Sequence, residues 1–257
     1  MPGPHRVPFV GNTHFLARRG ETGVSGNIYV GLHEFWEMAF VAHLLRPGDL
    51  LVDVGANAGS YTLLAAGWCG ATVVAVEPSA DAFARLETNV RSNGLDTRVE
   101  LHRCAVGDRN ASVRFRTDFD TMNHIVRYHE AEQGEIVEVP LRTLDDVLGE
   151  RSPALMKIDV EGEELSVLRG ASRVLHDGNL RAVLVETPEH GGSPRGNPSI
   201  SLLLDAGFQR YHYDPWMREL TSTPVHTSSN VLFVRDQSWV ASRLGDGPKL
   251  QVLGEAL

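Results

Sequence analysis

Five charged side chains crowd one short stretch of this chain, Lys157-Ile158-Asp159-Val160-Glu161-Gly162-Glu163-Glu164. Alternation along an extended strand puts Lys157 and Asp159 on one face, at the end of the apolar run Ala154 to Val160. A carboxylate so placed can take the proton of an aliphatic hydroxyl, while Lys157 orients the nucleophile or steadies developing oxyanion charge. A second reading uses Asp159, Glu161 and Glu186, which ends the next apolar run, as oxygen ligands of a divalent metal such as Mg. Glu163 and Glu164 also suit the first turn of a helix, where the dipole favours acids. Glu186 opens into Thr187-Pro188-Glu189-His190, so His190 is a further candidate base, although loop histidines are ordinarily solvated. Asn123 and His124, in a long polar loop, are weaker candidates of the same kind.

The second chemical stretch is Leu50 to Ala66, Leu-Leu-Val-Asp-Val-Gly-Ala-Asn-Ala-Gly-Ser-Tyr-Thr-Leu-Leu-Ala-Ala. A short buried strand passes through a small-residue turn, Gly55-Ala56-Asn57-Ala58-Gly59, straight into a helical pattern. Such a turn lets a ligand approach the backbone and meet the amides of the helix that follows. Asp53 can accept from a cationic amino group, and Glu77, ending the next strand, can receive two ribose hydroxyls. A dinucleotide site wants Gly-x-Gly-x-x-Gly, whose second glycine admits a pyrophosphate, and this chain has Asn57 there. S-adenosylmethionine has no pyrophosphate and carries an amino-acid end that needs polar partners, so it is the favoured cofactor.

Elements must hold these residues. Apolar positions at helical spacing run from His33 to Arg46, then Pro47-Gly48-Asp49 breaks the run. Strand Leu50 to Val54 follows, then helix Ser60 to Trp68, strand Thr72 to Val76, and helix Ala80 to Asn93 capped by Ser79. Val99 to Ala105 reads as a third strand, Ser112 to Arg116 and Ile136 to Leu141 as an antiparallel pair, and Leu144 to Leu148 as a short helix. Helix Glu163 to Leu175, strand Arg181 to Val185, helix Pro198 to Ala206, and strands Phe208 to Tyr213 and Asn230 to Val234 complete the pattern. The last two strands leave no room for a crossover helix, so one of them is expected to run antiparallel. Residues 5 to 32 read as short strands or hairpins, because glycine punctuates them too often for a helix. Tyr211, Tyr213 and Trp216 could stack on a sugar ring, though packing is their commoner role, and Asn230 could be a turn residue.

The expected fold class is α/β, a Rossmann-like doubly wound sheet with a small N-terminal cap. The expected organisation is a cap or hairpin segment over residues 1–32, the main domain over 33–243 and a C-terminal tail over 244–257. The 257 residues, 42% of them hydrophobic, allow a sizeable core. A net charge of −9 offers no basic footprint for nucleic acid. Cys69 and Cys104, the only cysteines, suggest neither disulfide framework nor zinc site, and no run of about 18 apolar residues marks a membrane span. The expectation is a cytoplasmic protein without membrane or nucleic-acid partners; no feature sets its oligomeric state.

Val52 to Thr62, Val76-Glu77-Pro78, Ala105-Val106-Gly107-Asp108 and Met156-Lys-Ile-Asp-Val-Glu-Gly-Glu-Glu164 together resemble the FkbM family of class I S-adenosylmethionine-dependent methyltransferases. The resemblance spans Leu32 to Val234, and Lys-Ile-Asp-Val-Glu-Gly is its most specific part. It implies a seven-strand sheet with one antiparallel strand and O-methylation of a small molecule, a sugar, glycoside or polyketide-type natural product, leaving S-adenosylhomocysteine. By position it implies that Asp53, Gly55, Asn57 and Gly59 line the methionine end, with Ala56, Tyr61 and Thr62 also among the cofactor-binding residues. Glu77 and Pro78 would then border the ribose, and Cys104, Ala105 and Val106 the adenine. Glu34, leading into the first helix, and Asp159 would approach the cofactor as well. Lys157, Asp159, Glu161, Glu186 and His190 are then the catalytic candidates. The competing readings are a nicotinamide-dependent oxidoreductase, which Asn57 disfavours, and a non-catalytic methyltransferase-like binding domain.

Overall fold

The computed structural model describes residues 4–18, 24–117, 124–126, 134–187, 197–226, 228–252 and 255–256. The chain begins with the antiparallel hairpin β1 (His5–Pro8) and β2 (His14–Ala17), then α1 (Ser25–Val30) and α2 (Phe35–Leu44). The first βα units are β3 (Leu50–Val54), α3 (Ser60–Leu63) with a π turn over Leu64–Trp68, β4 (Thr72–Val76), α4 (Ala80–Ser92) and β5 (Val99–His102). A small three-stranded sheet, β6 (Ala105–Val106), β7 (Ala111–Arg116) and β8 (Ile136–Arg142), leads into α5 (Leu144–Leu148). Then follow β9 (Leu155–Ile158), α6 (Glu164–Arg169), α7 (Ser172–Leu175), β10 (Ala182–Glu186) and α8 (Pro198–Asp205). The chain closes with β11 (Gln209–Asp214), β12 (Glu219–Thr221), β13 (Asn230–Val234), α9 (Gln237–Gly245), β14 (Gln251–Val252) and β15 (Glu255–Ala256).

The main sheet has the order β12-β11-β13-β10-β9-β3-β4-β5. β10, β9, β3, β4 and β5 pair in parallel, while β13 runs antiparallel to both β10 and β11. The inner parallel strands β3, β4, β9 and β10 are mostly apolar, as strands buried on both faces must be, while β5 at the edge reads Val-Glu-Leu-His. One face lies under α2, α3 and α9 through Phe40, Leu44, Leu63, Val240 and Leu244. The other lies under α5 to α8 through Leu148, Val167, Val174 and Leu203. Ser79 Oγ caps α4, accepting from Ala82 N, and the Asn197 side chain caps α8 with Pro198 in its first turn.

Several expectations need correction. Asn27 to Val30 belongs to a helix: Gly26 sits inside α1 and the left-handed Gly31 (φ +78°) ends it, so glycine here serves the helix and its stop. The helix expected over Ser60 to Trp68 turns π after Leu63. The third strand stops at His102, because Ala105–Val106 pairs with β8 in the small sheet. The helix expected over Glu163 to Leu175 breaks at Gly170-Ala171 into α6 and α7. The main sheet has eight strands, not seven, because β12 folds back as a hairpin on β11.

Residues 4–18 are fastened to α4 by asparagines: His14 N donates to Asn93 Oδ1 at 2.9 Å and Leu16 N to Asn89 Oδ1 at 2.8 Å. These bonds satisfy backbone groups on the open edge of β2. No helix among the described residues is long and apolar enough to cross a membrane.

Candidate active site

Strand register assembles the site. Asp53 and Lys157 are direct neighbours across β3 and β9, and Glu186 and Asn230 are direct neighbours across β10 and β13. Asp159 follows β9 one step beyond the last paired positions, Ile158 and Val185, which brings it beside Glu186. All five lie on the face covered by α2, whose preceding residue Glu34 accepts from Asn230 Nδ2 at 2.5 Å. Asn230 is therefore a buried tie between two elements and not a turn residue.

A cavity of about 420 Å³ opens at these strand ends. Of the sequence candidates, Glu34, Asp53, Gly55, Ala56, Asn57, Tyr61, Glu77, Pro78, Cys104, Ala105, Val106, Lys157, Asp159, Glu161 and Glu186 line it. Gly59 and Thr62 stand behind the wall. Gly59 takes φ +97° to start α3, and Thr62 Oγ1 donates to Asp53 Oδ2 at 2.6 Å. His190 and Asn123 fall outside the described residues. His124 stands close enough to Glu161 to interact with its charge, and Trp216 is exposed while Tyr213 is buried against His43.

The turn after β3 is fixed by its own backbone. Gly55 N and Ala56 N both donate to Val76 O, Gly59 N donates to Ala56 O, and Asn57 takes φ +47°. Gly55, at φ +80°, runs so close to β9's end that a Cβ would sit 1.8 Å from the Asp159 carbonyl oxygen. Only glycine fits there. Glu77 accepts from Asn57 N (2.9 Å) and Ser79 N (2.8 Å), one bond on each carboxylate oxygen. Each oxygen keeps a second lone pair for a ligand hydroxyl. Burial pushes the Glu77 carboxyl up to about 7 despite these bonds, and burial likewise raises Asp53.

The ends of β9 and β10 are held by charge instead. Lys157, 2% exposed, places Nζ 2.7 Å from Asp159 Oδ2 and 4.8 Å from the centre of the Tyr61 ring. Burial works to discharge this ammonium, but Asp159, Glu34 and Asp53 outweigh it and hold it protonated. Burial also opposes the Asp159 carboxylate, and Lys157 again wins, keeping that carboxyl below its ordinary value. Glu186 has no such cation. Burial, then the Asp159 charge beside it, push it up to about 8, so near neutrality it keeps a proton and shares it with Asp159. Burial and Asp159 raise Glu161 too. Oxygens of Asp159, Glu161 and Glu186 lie within 4.8 Å of one another, a spacing that suits one divalent cation. Glu164 turns inward to accept from Gly162 N at 3.0 Å, which fixes the turn that leads into α6.

Glu163 lines the cavity as well, and so do Asn27, His33, Met38, Phe115 and Ile125, for which the sequence alone gives no site role. Asn27 is the most informative of them. Its Nδ2 donates to Ser60 Oγ (2.8 Å) and its Oδ1 accepts from His33 N (2.9 Å), so it joins α1, α3 and the approach to α2. Only its place within a misread segment concealed it.

Comparison with known proteins bears on the family and the fold. Residues 53–210 match the sequence model of the methyltransferase FkbM domain. The chain is 33% identical over 198 residues, 64% of its length and 74% of the relative's, to a Streptomyces tacrolimicus protein named 31-O-demethyl-FK506 methyltransferase FkbM. It is 29% identical over 199 residues, 64% of its length and 75% of the relative's, to methyltransferase sdnD of Sordaria araneosa. A solved structure, the Pyrococcus horikoshii protein PH0793, superposes with a TM-score of 0.50 at 13% identity, covering 88% of this chain and 69% of that one, and so shares the fold. With a Rossmann-like sheet, a glycine turn at its centre and a domain match over most of its length, this chain belongs to the FkbM methyltransferase family.

Proposed function

We propose that the protein is an S-adenosylmethionine-dependent O-methyltransferase acting on a hydroxyl of an uncharged small molecule. The observation that carries this reading is the Asp159 and Glu186 pair, one carboxylate and one carboxylic acid side by side at the mouth of a nucleoside-sized cavity. The residues present fit the cofactor. Glu77 has spare lone pairs for ribose hydroxyls, and Cys104 to Val106 offer a narrow wall for the adenine. The acids around Lys157 suit a positively charged sulfonium.

Bound there, the cofactor supplies an electrophilic methyl carbon. The chain has to align an acceptor oxygen behind that carbon and remove its proton. Asp159 is positioned to accept the proton, Lys157 keeps its carboxylate oriented, and Glu186 sets the proton count of the pair. Glu34, Asp159, Glu161, Glu163 and Glu186 border the same space, so an anionic acceptor is repelled and a neutral one admitted. The acid triplet supports a second reading, in which Asp159, Glu161 and Glu186 hold a divalent cation that would make the acceptor hydroxyl more acidic.

Calorimetry with S-adenosylhomocysteine tests the cofactor, and the absence of binding at millimolar concentration defeats the proposal. A screen of neutral sugars, glycosides and polyketide-type alcohols with methyl-labelled S-adenosylmethionine, run with and without EDTA, tests the reaction. Label transfer that survives EDTA assigns proton removal to the carboxylates, and loss restored by Mg assigns it to the metal-assisted route.

A further inference from the structure

Outside the cavity, three aromatic side chains from two distant segments meet at the same end of the sheet. Phe35 and Trp36 open α2, and Trp216 stands in the turn that joins β11 to β12. The Trp216 ring centre lies 5.1 Å from that of Phe35 and 6.4 Å from that of Trp36. β11 runs antiparallel to β13, and β13 antiparallel to β10, so β11 shares the direction of β10. Its turn therefore opens at the end where Glu186 lies. Glu34, which lines the cavity, is the residue before Phe35.

This shelf is held firmly from within, yet its outer face is open. His226 stacks on Trp36 at 4.3 Å with the planes 8° apart, and the His226 ring is tied to Glu37 through Nε2. Asp214 Oδ1 accepts from Trp216 N and from Met217 N, each at 3.0 Å, which fixes the turn. Trp216 is nonetheless 59% exposed and Met217 65%. Large apolar side chains fixed together at the surface mark a binding face. The polar side chain beside them turns away, since Arg218 donates to Gly247 O and Pro248 O. What faces outward is π surface and a thioether, which suit the C–H groups of an apolar ring and give hydroxyls little to bind.

Sheet order says what would lie there. The turn after β3, Glu77 after β4 and the wall Cys104 to Val106 belong to one half of the site, whereas the shelf lies past β10 and β13, on the other side of Asp159 and Glu186. In-line transfer brings the acceptor oxygen to the methyl from the side away from the cofactor. Near Asp159 the cavity is lined chiefly by acids, so the carbon skeleton of an acceptor has to be held farther out. We propose that Phe35, Trp36 and Trp216 form the shelf that holds the apolar ring skeleton of the methyl acceptor while its hydroxyl reaches Asp159; this rests on the O-methyltransferase reading. The acceptor class so selected is an uncharged alcohol borne on a hydrocarbon ring system, in preference to a free sugar.

The test uses fluorine NMR of the full chain carrying 5-fluorotryptophan at its four tryptophans, with the Trp216 signal assigned from its loss in Trp216→Phe. The protein, loaded with S-adenosylhomocysteine, is titrated with decahydro-2-naphthol, an apolar two-ring alcohol, and separately with methyl glucoside. Decahydro-2-naphthol should shift the Trp216 signal saturably and leave those of Trp68 and Trp239 in place, and methyl glucoside should shift none of them. Trp216→Ala should bind decahydro-2-naphthol about 10-fold more weakly, the order of one lost aromatic contact, and S-adenosylhomocysteine as tightly as wild type does. An unmoved Trp216 signal, equal shifts at Trp68 and Trp239, or equal binding by Trp216→Ala overturns the shelf assignment. A Trp216 shift with methyl glucoside as large as with the apolar alcohol overturns the acceptor class. Sedimentation that finds a wild-type dimer reduced to monomer by Trp216→Ala shows an interface between copies instead, and overturns the proposal. Failure of wild type to bind S-adenosylhomocysteine is read separately and overturns the methyltransferase reading, and the shelf assignment with it.

Discussion

The turn after β3 and the ends of β9 and β10 face each other across one cavity, yet they are built on opposite terms. In the turn every acid is answered by a neutral donor: Asp53 by Thr62 Oγ1, Glu77 by Asn57 N and Ser79 N. At the ends of β9 and β10 the acids answer one another, with a shared proton and a single ammonium to balance them. Hydrogen-bonded carboxylates are preorganised and hold their shape whatever fills the cavity. Crowded carboxylates change protonation when a charge enters or leaves, which is what proton transfer requires. On the proposed function, binding belongs to the rigid wall and chemistry to the labile one.

The largest expected effect breaks the boundary between the two. Gly55→Ala forces a side chain into a left-handed backbone and onto the Asp159 carbonyl, a backbone atom that cannot swing aside. Strain and overlap together should cost on the order of 3 kcal/mol. A lowered urea midpoint, together with lost cofactor binding, is the expected outcome. An Ala variant of wild-type stability would mean that the two walls are not in register.

Next in size is a separation of rate from affinity. Asp159→Asn should lower kcat by roughly 10²- to 10⁴-fold, the usual worth of a general base. Cofactor affinity, governed by the opposite wall, should move by less than about 10-fold. Glu186→Gln should lower the rate less and flatten its rise toward pH 8, because the pair can no longer lose the shared proton. Parallel losses in kcat and cofactor affinity for Asp159→Asn would show the division to be false.

The two walls also differ in how far the sequence exposed them. The turn was legible because its function needs small residues in a row, and Gly55-Ala56-Asn57-Ala58-Gly59 leaves few other readings. Lys157 and Asp159 were legible because alternation fixes the face of a strand. Asn230 was not: it begins a strand, where turn residues are common, and only the β10–β13 register sets it beside Glu186 and under Glu34. Asn27 stayed hidden because the glycines around it were read as helix breakers, whereas Gly26 lies within α1 and Gly31 caps it. Gly170 misled in the other direction, since a continuous apolar period concealed the break between α6 and α7. Local pattern finds an element and its faces, while the partner across the sheet depends on register between distant segments.

The smallest expected effect sharpens the comparison through stability. Glu77, at about 7, and Glu186, at about 8, both bind a proton more tightly in the folded chain than an unfolded glutamate near 4.5. From about pH 5 upward the folded state therefore holds protons that the unfolded state has released, and stability must fall as pH rises through 7 and 8. Each group contributes a slope of at most about 1.4 kcal/mol per pH unit, and solvent screening reduces the share of half-buried Glu186. The two variants should separate the walls. Glu186→Gln removes a repelled acid whose neutral form is the favoured one, so it should remove that group's share of the slope between about pH 5 and pH 8 and leave the variant at least as stable as wild type at pH 6. Glu77→Gln also removes a titrating proton, but its amide nitrogen cannot accept from Asn57 N or Ser79 N. At pH 6 it should therefore be about 1 kcal/mol less stable than Glu186→Gln, the net worth of one buried hydrogen bond. Urea unfolding of both variants at half-unit steps from pH 5 to pH 9 measures this difference, and equal stability of the two variants at pH 6 would place the same kind of carboxylate on both walls.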